Sequence, residues 1–372
     1  MTIEWEDSIK RGIALSETPY FFHFDFAKDP LDLKPVSAPE QLVDFEKEIQ
    51  NLLTLIGKVG IGNIRVIPIV GLRGTGGSSI LLTCKAILDS MKNSTLKEVS
   101  DFASGIVTNY ISARSFAHGL DEDDDNGEDD FSQWIKSLEL HKTTHLFVDD
   151  CDVLDRYSVF PYLEAIAERL GKWIVLILRL TPSSYNRLIR DMTLSAIAST
   201  WLTEQIIISP GSETLLRAIL KQRLLDVERY IEEAALISLH SRTLGSIKEA
   251  IGVLRISLEE ATGTNKLPIT TREIQRVCDR LGMFGEKWLG EHLTTNQEQV
   301  LHTIIGLGDH VTAEEVAEET GSKRSTIVRM LLRLESGHWL GKYPAGNKIV
   351  YYIRPYPKLY LEKSILEERR AV

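Results

Sequence analysis

Short apolar runs alternate with amphipathic stretches along the first part of the chain. Runs rich in valine and isoleucine are typical of buried strands, and they lie at 65–70, 106–111, 145–150, 173–178 and 204–209. Stretches with apolar residues at helical spacing lie beside them, at 38–56, 79–91, 131–140, 160–170 and 183–203. Strands that alternate with helices in this way predict a parallel α/β sheet.

The pattern changes after Pro210 and again near residue 291. Four consecutive helical stretches predict an all-helical, lid-like domain, and they span 212–226, 228–240, 244–262 and 270–280. Three more helices (295–307, 312–320, 322–336) then precede two alternating strands (339–343, 348–353), an order that predicts a winged helix-turn-helix. We expect five segments: a lead-in at 1–36, an α/β core at 37–210, the helical lid at 211–290, the winged helix at 291–358 and a tail at 359–372.

The first strand runs into a glycine-rich turn, GLRGTGGSS, at residues 71–79. A Walker A loop reads G-x-x-x-x-G-K-[ST]; its backbone N–H groups cradle phosphates and its lysine meets the β- and γ-phosphates. Three residues fall in register with this motif, but Gly77 stands at the lysine position. The candidate nucleotide-binding residues are Gly71, Arg73, Gly74, Gly76, Gly77, Ser78 and Ser79, with Ser78 as a candidate Mg²⁺ ligand.

The strand at 145–150 (HLFVDD) ends in two adjacent acids, the Walker B layout. Asp149 is then the candidate Mg²⁺ ligand, and Asp150 is the candidate catalytic residue that polarises water if the site is active. A capped strand end with surface acids is the alternative. Ligands of parallel sheets bind at the carboxyl ends of the strands. We therefore expect Gly71, Asp149 and the pair Arg179/Thr181 to meet at one site.

The charge of the chain is unevenly distributed. The net charge is −10, and residues 121–130 (DEDDDNGEDD) hold eight acids, which suggests a solvated loop. In contrast, residues 322–354 contain seven lysines and arginines and one acid, Glu335, so this segment carries +6. A basic segment in an acidic chain is the electrostatic signature of nucleic-acid binding.

The third helix of the predicted winged helix has two distinct faces. Ile327, Met330 or Leu331, and Leu334 form an apolar stripe, while hydroxyl and arginine side chains line the opposite face. The candidate residues for binding double-stranded DNA are Ser322, Lys323, Arg324, Thr326, Arg329, Arg333, Lys342 and Lys348. A winged helix used for protein contact, with a solvated basic face, is the alternative.

Composition indicates an ordinary globular protein of 372 residues with 43% hydrophobic residues. The three cysteines are far apart and fit buried thiols in a reducing compartment. No apolar run approaches the about 20 residues that a membrane-spanning helix needs. The N-terminus has no apolar signal-peptide region. We expect a cytoplasmic, nucleoid-associated protein without a membrane partner.

The order of phosphate loop, Walker B strand, helical lid and winged helix resembles that of AAA+ ATPases of the archaeal origin-recognition, replication-initiator type. Residues 206–223 (IIISPGSETLLRAILKQR) resemble the segment where that family's lid begins, and 245–251 (GSIKEAI) resemble its second-sensor motif. The resemblance covers about 38–355. It implies a parallel P-loop core with helices on both faces, ATP or ADP with Mg²⁺ as cofactor, and DNA, related initiator subunits or a second copy as partners.

The departures from this family lie at the nucleotide site. Gly77 replaces the Walker A lysine, and Lys248 stands at the second-sensor arginine, where it remains a candidate nucleotide-binding residue. Arg179, Leu180 and Thr181 follow the strand that normally leads to the first-sensor asparagine. Arg187 or Arg190 could serve as arginine finger.

Three hypotheses follow. The first is a DNA-binding, initiator-like AAA+ protein with weak or absent ATP hydrolysis, which acts in replication or its regulation. The second is an active ATPase with a substitute cation, such as Arg73 or a residue of a neighbouring subunit. The third is a winged-helix transcription regulator or a protein-interaction scaffold on an AAA+ frame.

Overall fold

The computed structural model describes residues 24, 26, 29–59, 64–114, 143–154, 174–193, 200–262 and 266–371. The helices predicted at 131–140 and 160–170 and the acidic run at 121–130 lie outside these residues. The chain divides into two compact units. The sheet unit comprises 35–209 and 291–372, and the helical unit comprises 1–34 and 210–290. The finer division into five segments stays a prediction.

Five parallel strands form the sheet of the sheet unit, in the order β2-β3-β4-β1-β5. They span Arg65–Gly71 (β1), Ile106–Ser112 (β2), Thr143–Asp149 (β3), Ile174–Leu180 (β4) and Ile206–Ile208 (β5). The prediction of a parallel α/β sheet is confirmed. Strand β4 lies between β3 and β1, with Val148 beside Leu178 and Ile69 beside Arg179. The turns after β1 and β3 therefore flank the carboxyl end of β4.

Four described helices accompany this sheet: Glu46–Val59 (α1), Gly77–Met91 (α2), Lys97–Ser104 (α3) and Pro182–Thr193 (α4). Two predicted helices were too long. Residue Asp44 has φ 61°, which an α-helix cannot include, so α1 starts at Glu46 and not at residue 38. The helix predicted to reach residue 203 does not, because Trp201 accepts a hydrogen bond from Val66 N of β1 and Leu202 is extended beside that strand.

The helical unit contains Glu213–Leu224 (α5), Glu233–Arg242 (α6), Ile247–Thr262 (α7), Thr271–Arg280 (α8) and Glu286–Glu291 (α9). The Ser212 hydroxyl caps α5 by accepting a hydrogen bond from Leu215 N, and a Thr270–Glu273 capping box starts α8. Part of the lead-in packs on this unit: Phe24 meets Tyr230 edge-on. The predicted lid is therefore a helical bundle, with α6 starting at Glu233 instead of residue 228.

Residues 291–371, called the C-terminal module below, belong to the sheet unit. They contain Thr295–Leu307 (α10), Val311–Thr312 (β6), Ala313–Thr320 (α11), Arg324–Ser336 (α12), Leu340–Ala345 (β7), Lys348–Ile353 (β8) and Pro355–Ala371 (α13). Capping boxes at Thr294 and Thr312 start α10 and α11. The three strands form an antiparallel sheet in the order β6-β8-β7. This is the predicted order of three helices and a hairpin.

The C-terminal helix α13 was not predicted. A tail is predicted at 359–372, whereas α13 extends to Ala371 and buries Leu361 and Leu366 completely. A glutamate, Glu362, interrupts its apolar stripe and is itself buried. Within the described ranges, no helix is long and apolar enough to cross a membrane.

Candidate nucleotide-type site and basic face

The turn between β1 and α2 has the backbone of a phosphate-binding loop. Gly74 and Gly76 have φ angles of 79° and 102°, which glycine adopts without steric cost. The Thr75 hydroxyl donates to Leu72 O at 2.8 Å and closes the turn. A Cβ atom on Gly71 would lie 2.9 Å from Cβ of Ile208, so only glycine lets β1 approach β5 this closely. The glycines of the motif thus serve the loop as the sequence implies.

Gly77, at the lysine position, lies against the side chain of Arg179 from β4. A Cβ atom built on Gly77 would lie 3.1 Å from Cγ and 3.2 Å from Nε of Arg179. Arg179 is only 6% exposed. A side chain at position 77 would therefore require Arg179 to shift by a few tenths of an ångström.

The guanidinium of Arg179 faces three carboxylates at the ends of β3 and the turn after it. Its Nη1 lies 3.5 Å from Asp152 Oδ1 and 3.7 Å from Asp150 Oδ1, and its Nε lies 3.7 Å from Asp149 Oδ1. The side chain of Asp152 is 1% exposed. Because Arg179, Asp149 and Asp152 are buried, the ion pairs among them are not the weak, screened kind found at protein surfaces.

Two further arginines complete the cluster. Arg73 of the loop binds Asp152, and Nε of Arg114 lies 3.1 Å from Asp150 Oδ2. Three arginines and three aspartates are therefore paired with formal charges that cancel; we call Arg73, Arg114, Arg179, Asp149, Asp150 and Asp152 the Arg–Asp network. The backbone conformation of Asp150 is unusual. Its φ is 54°, a left-handed conformation that costs energy in a residue other than glycine.

Neighbouring hydroxyl groups also donate hydrogen bonds to these carboxylates. Tyr110 OH donates to Asp149 Oδ2 at 2.8 Å, and the Ser112 hydroxyl donates to Asp150 Oδ2 at 2.9 Å. Asp149 Oδ1 also accepts from Asp150 N at 2.8 Å. Burial, reinforced by Asp149, raises the pKa of Tyr110 above its usual value, so the phenol remains a hydrogen-bond donor.

The electrostatics of Asp152 show how strongly the network is coupled. Burial alone would raise the pKa of its carboxyl, but Arg73 and Arg179 outweigh burial and lower the pKa below its usual value. The carboxylate is therefore held ionised by its two arginine partners.

The carboxylate oxygens of the Walker B pattern have partners within the protein. Asp149, the candidate Mg²⁺ ligand, has both oxygens engaged by Tyr110 and Asp150 N, and Arg179 adds a positive charge beside them. Among the described residues, no group of three or more His, Cys, Asp or Glu side chains could hold a metal ion. The acids of the Walker B pattern are therefore neutralised by this chain's own arginines.

The candidate DNA-binding residues lie on the C-terminal module. As predicted, Ile327, Leu331 and Leu334 of α12 are buried, and Arg329 and Arg333 are exposed on its other side. Lys323 and Thr326 are also exposed, Lys348 is exposed on the hairpin, and Ser322 is half-buried. We call the exposed surface around Lys323, Thr326, Arg329 and Arg333 the basic face.

Acids partly compensate the edge of this face. Nε of Arg324 lies 2.5 Å from Glu314 Oε1, and Nζ of Lys342 lies 3.0 Å from Glu335 Oε2. By contrast, Arg329 and Arg333 form no ion pair with another described residue. Of the six cations in the predicted set, Arg324 and Lys342 thus have acidic partners, whereas Arg329 and Arg333 on the exposed side of α12 do not.

No protein-family model matches the sequence, and no curated protein matches it. Solved structures do match. The Aeropyrum pernix ORC1 protein in complex with DNA has a TM-score of 0.50 at 14% identity, covering 91% of this chain and 97% of that chain. The chain has an Orc/Cdc-type AAA+ fold. At this identity, the similarity concerns the fold alone.

Two other solved structures match with TM-scores below 0.5. The Aeropyrum pernix ORC2 protein, solved as ADPNP–ADP complexes, reaches 0.49 at 13% identity over 93% of this chain and 100% of that chain. The Thermotoga maritima RuvB Holliday junction branch migration motor reaches 0.43 at 17% identity over 89% and 98%.

Within the AAA+ fold, the other candidate nucleotide residues lie as follows. Ser78 is half-buried in the first turn of α2. The Ser79 hydroxyl accepts a hydrogen bond from Val36 N at 3.0 Å, so it anchors the segment before α1. Lys248 lies in the first turn of α7 in the helical unit. The nucleotide-binding roles of these residues stay predictions.

Sequence reasoning missed two of the six members of the Arg–Asp network, Asp152 and Arg114, and the neighbouring Tyr110. It placed Arg179 at the site but assigned it no role. Two signals were available in the sequence: a lone arginine in the otherwise apolar run IVLILRL, and a third acid soon after the Walker B pair. A buried arginine needs a carboxylate partner, so the two signals together would have pointed to the network.

Proposed function

We propose that this chain is a DNA-binding, initiator-like AAA+ protein whose nucleotide-type site is closed by internal ion pairs, with weak or absent ATP hydrolysis. The observation that carries this proposal is Arg179 lying against Gly77 while facing Asp149, Asp150 and Asp152. The AAA+ frame then serves to present the C-terminal module and not to convert nucleotide energy.

The physical reason is electrostatic. Phosphoryl transfer relies on a positioned lysine and on Mg²⁺ held by free carboxylates. Here the lysine is absent, and Mg²⁺ would have to displace arginines that are already paired. Each loss of about 1.4 kcal/mol of transition-state stabilisation slows a reaction tenfold. Losing both the cation and the free carboxylates therefore predicts hydrolysis slower by several orders of magnitude.

The proposed DNA partner rests on the basic face of the C-terminal module, which we interpret as a winged helix. Arg329 and Arg333 are exposed at helical spacing on α12, the third helix of the module, which in helix-turn-helix proteins enters the major groove. The DNA-bound ORC1 structure of the same fold is a further reason to test double-stranded DNA first.

The deciding experiment measures DNA binding with and without ATP and Mg²⁺. Fluorescence anisotropy with a labelled mixed-sequence duplex would be titrated across salt concentrations. We expect the same Kd in both conditions, and a weaker Kd with a smaller salt slope for the double variant Arg329→Ala, Arg333→Ala. The matched control is Arg276→Ala, Arg280→Ala, two exposed arginines one helical turn apart in the helical unit, which should leave Kd unchanged.

Two results would overturn the proposal. An affinity for DNA that rises tenfold or more on adding ATP and Mg²⁺ would contradict a closed site. Undiminished DNA affinity in the Arg329→Ala, Arg333→Ala variant would contradict the basic face as the DNA-binding surface.

One observation favours a second candidate function, an ATPase with a relocated cation. Arg179 reaches the space beside Gly77 and could take the place of the missing lysine, as could Arg73 at the loop. The two functions predict opposite results for Arg179→Ala. If Arg179 closes the site, ATP binding measured by filter assay increases or stays absent in this variant. If Arg179 is the substitute cation, the parent chain binds and hydrolyses ATP and the variant loses both activities.

The cellular role within this proposal is replication initiation or its regulation, at the nucleoid and together with related AAA+ subunits or a second copy. A winged-helix transcription regulator is the alternative role. Genomic footprinting distinguishes them: occupancy at a replication origin supports initiation, and occupancy confined to promoters supports transcriptional regulation.

A further inference from the structure

A buried carboxylate on the C-terminal helix α13 accepts hydrogen bonds from helix α4 of the sheet unit. Glu362 is 3% exposed. Its Oε2 accepts a hydrogen bond from Ser183 N at 3.0 Å, and its Oε1 accepts one from the Ser183 hydroxyl. The bond joins residues 179 positions apart in the chain, so it is a tertiary link and not a local turn.

The position of Ser183 gives this link its significance. Ser183 is the second residue of α4, and the N–H groups of a helix's first turn have no partner within the helix. Such groups are usually satisfied by a side chain just before the helix, and a carboxylate there also interacts favourably with the helix dipole. Here the capping carboxylate comes from α13. The hydroxyl of Thr181, just before the helix, accepts from Ser184 N at 3.3 Å and lies 2.7 Å from the Ser184 hydroxyl, so Thr181 and Glu362 together cap the first turn.

Two arginines make further side-chain contacts between the C-terminal module and the same helix. The guanidinium of Arg369 on α13 lies 4.8 Å from the ring centre of Tyr185 and donates to Asn186. In the other direction, Arg187 donates to Gly306 O on α10 at 3.3 Å. The first turns of α4 are therefore held by α13 and α10 together.

We propose that Glu362 is a latch that fixes the C-terminal module to the sheet in one orientation. Helix α4 begins two residues after Leu180, the end of β4, so the same strand end carries Arg179 of the Arg–Asp network and the latched helix. Removing the carboxylate would leave the N–H and the hydroxyl of Ser183 without this acceptor inside the protein. The module would then keep only the Arg369 and Arg187 side-chain contacts to α4, and we expect it to sample more than one orientation. This inference stands independently of whether the chain binds DNA or nucleotide.

Distances measured by pulsed electron–electron double resonance between two spin labels test the latch on the full chain. Spin labels would be placed through Asp101→Cys on α3 and Glu318→Cys on α11, both exposed positions. The three native cysteines are buried and will not label under native conditions. We expect one narrow distance distribution in the parent, and a broadened or two-component distribution in Glu362→Ala.

The matched control is Glu368→Ala, an exposed glutamate on the same helix, which should keep the narrow distribution. Should Glu362→Ala fail to fold by circular dichroism, Ser183→Ala removes one of the two donors and is expected to broaden the distribution as well. A distribution that stays as narrow as the parent's in the folded Glu362→Ala chain, or in Ser183→Ala if the former does not fold, would overturn the proposal. A broad distribution in the parent would overturn it too.

Discussion

Gly77 and Arg179 are sterically complementary. The glycine has no side chain where the arginine crosses, and a Cβ at position 77 would meet Cγ of Arg179 at 3.1 Å. Such a contact is tighter than carbon atoms usually make, and the arginine is held in place by three carboxylates. The residue at the lysine position and the residue on β4 therefore act as one pair.

This pair predicts that Gly77→Lys will not create an ATP site. The lysine would have to displace a buried arginine, and overpacking of this kind typically costs about 1–3 kcal/mol. We expect a lower free energy of unfolding in urea and no gain of ATP binding. In the double variant Gly77→Lys, Arg179→Asn the clash is absent, and the destabilisation should be less than the sum of the two single changes.

The measurement is a double-mutant cycle by urea unfolding, with ATP binding followed in parallel. Positions in contact commonly show coupling of about 0.5–3 kcal/mol. Strict additivity of the two substitutions, or robust ATP binding by Gly77→Lys alone, would contradict the steric pairing.

A second prediction concerns Asp152 and acid. Removing one partner of a buried ion pair costs about 3–5 kcal/mol, and we expect Asp152→Asn to lose about 3 kcal/mol near neutral pH because Arg179 retains Asp149 and Asp150. The pKa of Asp152 is lowered on folding, so its stabilisation is complete above the unfolded value of about 3.9 and is lost as pH falls through the folded pKa.

The difference in unfolding free energy between the parent and Asp152→Asn should accordingly be constant from neutral pH down to about pH 5 and shrink below about pH 4. Asp101→Asn, at an exposed position, provides the control and should differ little from the parent. A difference that grows as the solution is acidified would contradict the assigned role of Asp152.

A third prediction has the opposite pH dependence. Burial raises the pKa of Glu362, only partly offset by Lys358 and by hydrogen bonds from Ser183 and Thr181. An acid whose pKa is raised on folding stabilises the fold fully below its unfolded pKa of about 4.3, and this contribution is lost as pH rises through the folded pKa. Glu362→Gln, which keeps an acceptor for Ser183 N, should therefore become more stable relative to the parent as pH rises.

Thermal unfolding of both chains from acid to neutral pH measures the difference in their stability. A difference in stability that does not change with pH would contradict a buried Glu362 that titrates in this range.

A fourth prediction concerns the acids at the edge of the basic face. Glu314 and Glu335 pair with Arg324 and Lys342 and compete with DNA phosphates for these cations. Glu314→Gln and Glu335→Gln should each tighten DNA binding by about 0.5 kcal/mol, the usual size of a surface ion pair. Anisotropy titrations should also show a steeper salt dependence, because a freed cation can make one more phosphate contact. Glu318→Gln on α11 removes the same charge and provides the control, with a smaller expected effect. Equal or weaker DNA binding by Glu314→Gln and Glu335→Gln would contradict the competition between these acids and DNA phosphates.

The sequence predicts the fold well where a local rule decides the structure. The helices predicted at 295–307 and 312–320 agree with α10 and α11 to within a residue, and the apolar runs locate all five strands of the parallel sheet. The failures arise where tertiary contacts override the pattern. Trp201 and Leu202 continue a helical pattern in the sequence but lie beside β1 in the structure. Helix α13 was not predicted because a glutamate within an apolar stripe is typical of a surface position.

The candidate site was only partly predictable for a similar reason. The motifs correctly marked the loop and the acids at the carboxyl ends of β1 and β3, since parallel-sheet geometry gathers those ends. They could not indicate that Arg179 points toward Gly77, because the pairing of side chains across neighbouring strands depends on the strand order. That order, with β4 between β1 and β3, is a property of the folded sheet.

The contact between Gly77 and Arg179 also constrains how this chain could change by mutation. A lysine at position 77 meets an occupied space while Arg179 remains, and removing Arg179 first leaves the carboxylates of Asp149, Asp150 and Asp152 without their shared cation. Each of these substitutions, made alone, is therefore expected to cost stability. Positions 77 and 179 are thus expected to change together and not one at a time.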